Sequence, residues 1–350
     1  MRPEPLAAPG LDPSLADIAP QITPEVAAEI ARVHYGVVGA ATSLPGEKDS
    51  NFAITSECGT RLFLKIVSPG EPPEISDFHT EALVHLEARA AELPILRLRR
   101  TLTEAPSLRL DFGAGDRRTV RATSFAHGRA QTDCHRNAAQ SRAIGAVAAR
   151  LQTALADFRH PADGHRTTWD LARAGELRDL PVRFPEAAQS RRVARALAAF
   201  DERVTADLPR QVVHNDMNTD NVLMDPRDPA RVSGIIDFGD MVRTARVFDA
   251  AIGAAHQMGR SEDPLDPACA FLSGFSAERP LDEAEITLLP AAIEARMAMR
   301  VLIPQARADR LPERRAYILR NSSDVWRQFD RLDAMPRDRI AGRIAEACAR

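Results

Sequence analysis

The chain has 350 residues, 44% of them apolar, and a formal net charge of −3. This composition is that of a folded globular protein and excludes an intrinsically disordered chain. Without a global basic field, nucleic acid and anionic membrane surfaces are not expected as partners, and a small ligand is favoured.

Cysteines and the chain start bear on the compartment. The N-terminal residues are rich in proline and lack the basic and apolar regions of a secretory signal, and no apolar run approaches the roughly 18 residues of a spanning helix. No CxxC pair occurs among the four cysteines, which are Cys58, Cys134, Cys269 and Cys348. We therefore expect reduced thiols and a cytoplasmic protein.

The first predicted element is a helix over residues 23–36. Thr23 can act as N-cap, Pro24 suits the first helical position and Gly36 suits the exit. These signals predict both ends of the helix from local chemistry alone.

Strand signals follow this helix, and the last two of three extended runs are joined by a turn that contains Gly59. The three runs cover residues 36–40, 51–55 and 61–67. They predict an antiparallel meander. A helix from about 76 to 90 and a hairpin over 107–125 complete this part of the chain.

Beyond Gly128 the pattern is mainly helical. Helical stretches are predicted over 186–208, 244–258, 265–276, 282–304 and 311–332, and an apolar stripe is formed by Ile144, Val147, Ala148, Leu151, Leu155 and Phe158. The chain is thus predicted to be α+β, with a small N-terminal antiparallel sheet lobe carrying one helix and a larger, mainly helical C-terminal lobe.

Short polar side chains cluster in VVHNDMNTDNVLMD, residues 212–225, between two apolar runs that are predicted to be short strands closing a tight loop. Asn221 lies five positions after Asp216, and IIDFG follows with Asp237. Phosphoryl transfer from a magnesium nucleotide needs this ordered set, with one carboxylate to orient the attacking hydroxyl and an amide oxygen and a second carboxylate to hold Mg²⁺. The alternative is a turn in which these side chains satisfy only local backbone groups.

A second DFG tripeptide begins at Asp111 and precedes the HxD loop. Because it runs into Ala114-Gly115-Asp116, we interpret it as a hairpin turn.

Lys65 is the upstream lysine that the same chemistry needs. Strand alternation puts Leu62, Leu64 and Ile66 on one face and Lys65 on the other, toward a cleft. Of the 46 basic residues only Lys48 and Lys65 are lysine, so lysine is retained here where arginine is not equivalent. The alternative is a surface lysine. In the cleft, the expected ion partner of Lys65 is Glu81, with Glu87 as second choice.

In their order these residues resemble the aminoglycoside phosphotransferase and choline kinase superfamily, which has a bilobal protein-kinase-like fold. The resemblance covers about residues 25–335. Several segments are similar to the hydroxylysine kinase branch, namely YGVVGAATSLPGEKDSNFAI, LFLKIVSPGE, HTEALVHLEA, HPADGHRTTWDL, VVHNDMNTDNVL, GIIDFGDM, RMAMRVL and AYILRNSSDVW.

The resemblance implies a role for each matching residue. Asp216 would be the catalytic base, and Asn221 and Asp237 would be the Mg²⁺ ligands. Lys65 would bind the phosphates of ATP or GTP, with Glu81 as its partner.

Other positions follow from the same resemblance. Ser124 and Phe125 would belong to the hinge that meets the purine, and His214 would be a structural residue. The loop GAATSLPGEKDSN is not GxGxxG, so Ser50 and Asn51 are only candidate phosphate contacts.

The implied organisation has three parts. Residues 1–24 are expected to form a poorly ordered extension, 25–127 a nucleotide-binding N-lobe, and 128–350 a helical C-lobe with the catalytic loop and the acceptor site.

Two rivals share the nucleotide chemistry. Protein kinases usually carry arginine where Asn215 stands, and no APE follows IIDFG. A pseudokinase that binds nucleotide without turnover would be expected to have lost Asp216, Asn221 or Asp237, and all three are present. We therefore predict a kinase that acts on a hydroxyl of a small, amine-bearing metabolite; the oligomeric state is left open.

The acceptor prediction depends on charges near the predicted catalytic loop. Asp240 can receive an ammonium group, whereas Arg296 and Arg300, four apart on a helix, can bind a carboxylate. A solvated or ion-paired arginine face is the alternative. The resemblance favours a hydroxy amino acid such as hydroxylysine over an aminoglycoside.

Overall fold

Two packed regions make up the part of the chain that the computed structural model describes, residues 22–46, 48–180, 184–259 and 263–349. One is a small antiparallel sheet with its own apolar cluster, and the other is a large helical core. The predicted α+β architecture is therefore confirmed. The predicted extension 1–24 lies almost wholly outside the described residues.

The first helix, α1, spans Pro24–Tyr35 and is capped as predicted. The Thr23 side chain accepts a hydrogen bond from the Val26 amide, and Gly36 closes the helix at φ 67°. The strand predicted over 36–40 is wrong in its start, because Gly36 still serves as the left-handed cap and the chain becomes extended only at Gly39.

The small lobe is a six-stranded antiparallel sheet in the order β1-β2-β3-β6-β4, with β5 paired to β6. Its strands are β1 (Gly39–Leu44), β2 (Ser50–Ser56), β3 (Arg61–Ile66), β4 (Leu98–Arg99), β5 (Leu108–Asp111) and β6 (Arg117–Ser124). Leu62, Leu64 and Ile66 are buried in one cluster with residues of α1. Lys65 therefore faces the other side of the sheet, as alternation predicts.

The hairpin between β5 and β6 contains the upstream DFG tripeptide. The Phe112 amide donates to the Asp116 carbonyl at 2.8 Å, and the Gly113 amide donates to the Asp111 carboxylate at 2.7 Å. These bonds define a tight turn, so the interpretation of this tripeptide as a hairpin turn is confirmed.

Helix α2, Pro73–Arg89, joins the core of the helical lobe. Phe78 stacks on Phe158 with ring centroids 5.9 Å apart, and the His85 ring contacts the Ala154 carbonyl at 2.9 Å. The buried Arg121 of β6 donates to Thr80 at 2.8 Å and so ties the helix to the sheet. This packing decides which side chains of α2 face the cleft.

The larger lobe is mainly helical, and the predicted stripe from Ile144 to Phe158 is buried. Its helices are α3 (Ala138–Ala154), α4 (Ala187–Asp201), α5 (Val247–Gln257), α6 (Leu265–Glu278), α7 (Glu283–Arg310), α8 (Arg315–Ile318), α9 (Ser322–Asp333) and α10 (Arg337–Cys348). The predicted helix 311–332 is wrong as a single element, because it is divided into α8 and α9 with a turn between them. No helix within the described residues is long and apolar enough to cross a membrane.

In the described part of the chain, five short strands surround the polar loop: β7 (Arg129–Ala130), β8 (Arg210–Val213), β9 (Val222–Met224), β10 (Val232–Ile235) and β11 (Val242–Ala245). The two strands that flank the loop do not pair with each other: β8 pairs with β11, and β9 pairs with β10 and β7. The Ile236 amide donates to the Asn221 carbonyl at 3.0 Å. The loop and the segment after β10 are therefore held side by side.

Candidate active site

A cleft of about 450 Å³ lies between the sheet and the helical lobe. This volume is within the range of small-ligand sites. Its lining brings together most of the residues predicted for the site, namely Asn51, Lys65, Asp216, Asn221, Asp237, Asp240, Arg296 and Arg300. Glu81, Ser50, Ser124 and Phe125 are not part of that lining.

Asp216 is held by amide and guanidinium donors. Its Oδ2 accepts hydrogen bonds from Asn218 at 2.8 Å and from Asn221 at 2.7 Å, and Arg296 Nη2 donates to its Oδ1 at 3.3 Å. Asn221 Nδ2 also donates to the Asp216 carbonyl at 3.1 Å. The carboxylate is thus oriented while its side chain stays 16% exposed to the cleft.

Buried contacts of the neighbouring residues fix the loop that carries Asp216. His214 is fully buried, packs edge-on against Phe238 with centroids 4.9 Å apart, and lies 3.2 Å from the Ile236 carbonyl. Burial lowers the pKa of His214, so this histidine is neutral. The Asn215 amide donates to Asp249 on α5 at 2.9 Å. These contacts match the structural role expected of His214.

Asp237 lines the cleft, and its backbone is in the left-handed conformation with φ 59°. Its side chain is 55% exposed, and its Oδ1 accepts a hydrogen bond from the Gly239 amide at 3.3 Å. This unusual φ for a non-glycine residue is of the kind found at functional sites.

Two oxygen donors in the same cleft fit Mg²⁺. Asn221 uses its Nδ2 on Asp216, which leaves its amide oxygen as the ligand atom, and Asp237 adds a carboxylate. Such oxygen donors suit Mg²⁺, which keeps water and phosphate oxygens as its remaining ligands. Within the described ranges no group of three or more His, Cys, Asp or Glu side chains is placed to hold a metal ion.

Lys65 is paired with Asp49, at 2.9 Å, and lies 3.7 Å from Asp237. Burial opposes its positive charge, but the two carboxylates outweigh it, so its pKa is raised. The prediction that Glu81 pairs with Lys65 is wrong, because the Glu81 side chain is 61% exposed and its carboxylate lies 3.6 Å from the His160 ring.

The alternative prediction, that Glu87 pairs with Lys65, is also wrong. Its carboxylate accepts hydrogen bonds from the Leu98 amide at 2.5 Å and from Arg100 at 2.9 Å. The packing of α2 into the helical core turns both glutamates away from Lys65.

Asn51 and Ser50 begin strand β2. Asn51 is the direct neighbour of Lys65 across the β2–β3 pairing, and its Nδ2 donates to the Pro45 carbonyl at 3.3 Å. Ser50 pairs with Ile66 instead. Asn51 is therefore the cross-strand neighbour of Lys65, and phosphate contacts by Asn51 and Ser50 stay predictions.

The predicted hinge residues line a second cavity of about 410 Å³. Ser124 is bonded to Arg97 through both its amide, at 2.7 Å, and its hydroxyl, which accepts at 3.0 Å. Phe125 stacks under the guanidinium of Arg61 at 3.6 Å. A purine contact by these two residues stays a prediction.

Asp240 and two arginines of α7, Arg296 and Arg300, lie in the same cleft. Burial, together with the nearby Asp216 and Asp237, raises the pKa of Asp240 to about 7. Burial and the neighbouring Arg296 lower the pKa of Arg300 to about 9. The Arg300 guanidinium donates to the Ala255 carbonyl at 2.9 Å, and an anion bound beside it would favour its charged form.

Arg296 has a different environment from the one expected. Besides Asp216, it donates to the Trp169 carbonyl at 2.9 Å, and its guanidinium lies 4.8 Å from the centre of the Trp169 ring. Arg296 and Arg300 do lie on one helix, α7, but Arg296 is occupied by protein partners.

Three features of the cleft were missed by sequence reasoning. Asp49 and Lys48 come from the loop between β1 and β2, and Trp169 comes from the segment before α4. A signal existed for Lys48, since it is the second of only two lysines. The contacts of Asp49 and Trp169 depend on tertiary packing and carry no local signal.

The bilobal fold and this cleft define the chain as a kinase-like phosphotransferase that acts on a hydroxyl. Residues 41–284 match the family described as "Phosphotransferase enzyme family". The chain belongs to that family.

Similar proteins include two hydroxylysine kinases. That of Mus musculus is 26% identical and covers 91% of this chain and 91% of its own length. The hydroxylysine kinase of Danio rerio is 25% identical, and the match covers 94% of this chain and 97% of the length of that protein. The fold is also similar to an amicoumacin kinase solved with AMP-PNP and Ca²⁺, with a TM-score of 0.65, 16% identity and coverage of 87% of this chain and 94% of that chain.

Proposed function

We propose that this protein transfers the γ-phosphate of a magnesium nucleotide, ATP or GTP, to a hydroxyl of a small hydroxy amino acid such as hydroxylysine. One observation carries the proposal: Lys65, Asp216, Asn221 and Asp237 line a single cleft together with groups suited to an amino acid. The two hydroxylysine kinases, similar over nine tenths of the chain, support this acceptor class.

The protein groups divide the work of the transfer. Asp216, oriented by Asn218 and Arg296, accepts the hydroxyl proton and directs the oxygen toward the γ-phosphorus. The Lys65 ammonium binds the phosphates. Asn221 and Asp237 would hold Mg²⁺, which offsets negative charge on the transferring phosphoryl group when bound. Catalysis here is mainly positioning and electrostatic stabilisation.

The charges on the acceptor side support an amino acid. Asp240 receives the ammonium group next to Asp216, and Arg300 binds the carboxylate. Five arginines line the cleft, namely Arg296, Arg300, Arg307, Arg314 and Arg320. The same lining holds five aspartates, Asp49, Asp216, Asp220, Asp237 and Asp240, so it is the arginines and not the overall charge that favour an acceptor with a carboxylate, which an aminoglycoside lacks.

A nucleoside diphosphate release screen tests the proposal. The purified protein is incubated with MgATP or MgGTP and, in separate reactions, hydroxylysine, homoserine, ethanolamine, choline or kanamycin. We expect phosphorylation of hydroxylysine or a close analogue, detected as the mass of one added phosphoryl group. Turnover of kanamycin without any amino acid would make the protein an aminoglycoside kinase. Nucleotide binding without turnover of any acceptor would make it a pseudokinase.

A further inference from the structure

The ammonium of Lys65 is held from the nucleotide side of the sheet. Lys65 Nζ lies 2.9 Å from Asp49 Oδ2, and the two side chains are only 14% and 9% exposed. Among the described residues, the carboxylates within ion-pair distance of Lys65 are those of Asp49 and Asp237. Since Asp237 is open to the cleft, Asp49 is the buried anchor.

Asp49 is itself fixed by a second bond. The Ser68 amide, just after β3, donates to Asp49 Oδ1 at 2.9 Å, so both carboxylate oxygens are used. Burial opposes the negative charge, but Lys65 and Lys48 outweigh it and lower the pKa of Asp49. Asp49 is therefore an ionised, oriented carboxylate and not a flexible loop residue.

The neighbouring residue extends this arrangement to α2. Lys48 Nζ lies 3.0 Å from Glu71 Oε2, and the Ser76 hydroxyl in the first turns of α2 donates to Glu71 Oε1 at 2.8 Å. The only two lysines of the chain thus occupy adjacent ion pairs in one cleft. Asp49 is thus tied to β3, and Lys48 is tied through Glu71 to α2.

Helix α2 carries four acidic residues, and Glu74, in its first turn, is exposed. Glu81 is exposed near His160, Glu87 is bonded at β4, and Asp77 pairs with Arg109 at 2.8 Å. Helix α2 therefore does not contribute the ion partner of Lys65.

We propose that Asp49 is the positioning residue for Lys65, and that the lysine is aimed from the β1–β2 loop and not from α2. The inference rests on the proposed phosphotransfer. Because Asp49 borders the cleft beside β3, its carboxylate sets the position of the phosphate-binding ammonium. Asp49 acts through Lys65 and does not touch the reacting atoms.

The test compares Asp49→Asn with the matched control Glu81→Gln. Loss of a buried, charged hydrogen bond should weaken MgATP affinity and kcat by roughly 10-fold each, while the KM of the acceptor stays within about threefold. Glu81→Gln should remain within about twofold of wild type. Asp49→Glu, which keeps the charge, should recover part of the loss.

A double variant separates positioning from mere stability. If Asp49 acts through Lys65, then Asp49→Asn should add less than about twofold to the loss of nucleotide affinity in Lys65→Ala. Thermal unfolding shows whether each variant is folded. The nucleotide titration needs no acceptor, so it tests Asp49 even when the acceptor screen fails.

Two outcomes would overturn the inference. Equal losses of MgATP affinity and kcat in Glu81→Gln and Asp49→Asn would mean that α2 positions Lys65. Tighter nucleotide binding in Asp49→Asn would mean that this carboxylate competes with phosphate for Lys65.

Discussion

Replacement of Asp216 by asparagine removes the proposed base and keeps its size. The amide oxygen of the asparagine can still accept hydrogen bonds from Asn218 and Asn221. Its new NH₂ group faces Arg296, so the hydrogen bond that Arg296 donates to Asp216 at 3.3 Å is lost. Loss of one charged hydrogen bond costs about 1.5–3 kcal/mol of stability. Loss of general-base catalysis lowers turnover by about 10²- to 10⁴-fold, which is about 3–5 kcal/mol in the barrier.

The assay follows nucleoside diphosphate release at saturating acceptor, with a separate titration of MgATP. Nucleotide affinity should stay within a few-fold, because Lys65 and Asp237 are unchanged. Asp111→Asn, in the hairpin DFG, is the matched control and should retain full activity. Turnover of Asp216→Asn within twofold of wild type would refute the assignment, and an equal loss of nucleotide affinity would show that the substitution disturbs the whole site.

Four further outcomes are expected. Asp237→Ala should abolish Mg²⁺-dependent nucleotide binding in a titration, whereas Asp111→Ala should spare it; the reverse ranking would mean that the wrong DFG was chosen. Lys65→Arg should lower kcat/KM at least roughly 10-fold because the planar fork does not fit the place of a compact ammonium, and full activity would contradict this. Arg300→Ala should raise the KM of hydroxylysine at least roughly 10-fold and that of its decarboxylated analogue much less, and equal effects would exclude a carboxylate contact. The pKa of Asp240, about 7 when folded and near 3.9 when unfolded, makes its stability contribution fall as pH rises from about 4 to 7. Asp240→Asn should therefore stabilise the metal-free protein by on the order of 1–2 kcal/mol at pH 8 and not at pH 4 in denaturant titrations, and a gain equal at both pH values would contradict the shifted pKa.

Local chemistry was sufficient for several elements. The caps of α1 at Thr23 and Gly36 involve groups close in sequence, and strand alternation alone put Lys65 on the cleft side of β3. The order of Asp216, Asn221 and Asp237 likewise predicted the class of chemistry, because such a set needs only short spacings within two loops. These features do not depend on how distant parts of the chain pack.

Distant packing decided the rest. The partner of Lys65 depended on which face of α2 turned to the sheet, and the burial of Phe78 beside Phe158 left Glu81 in solvent. Arg296 and Arg300 look equivalent in sequence, but only the fold puts Arg296 against Asp216. Side-chain partners far apart along the chain are chosen by the burial of apolar faces, and that choice is made by the whole core and not by any single segment.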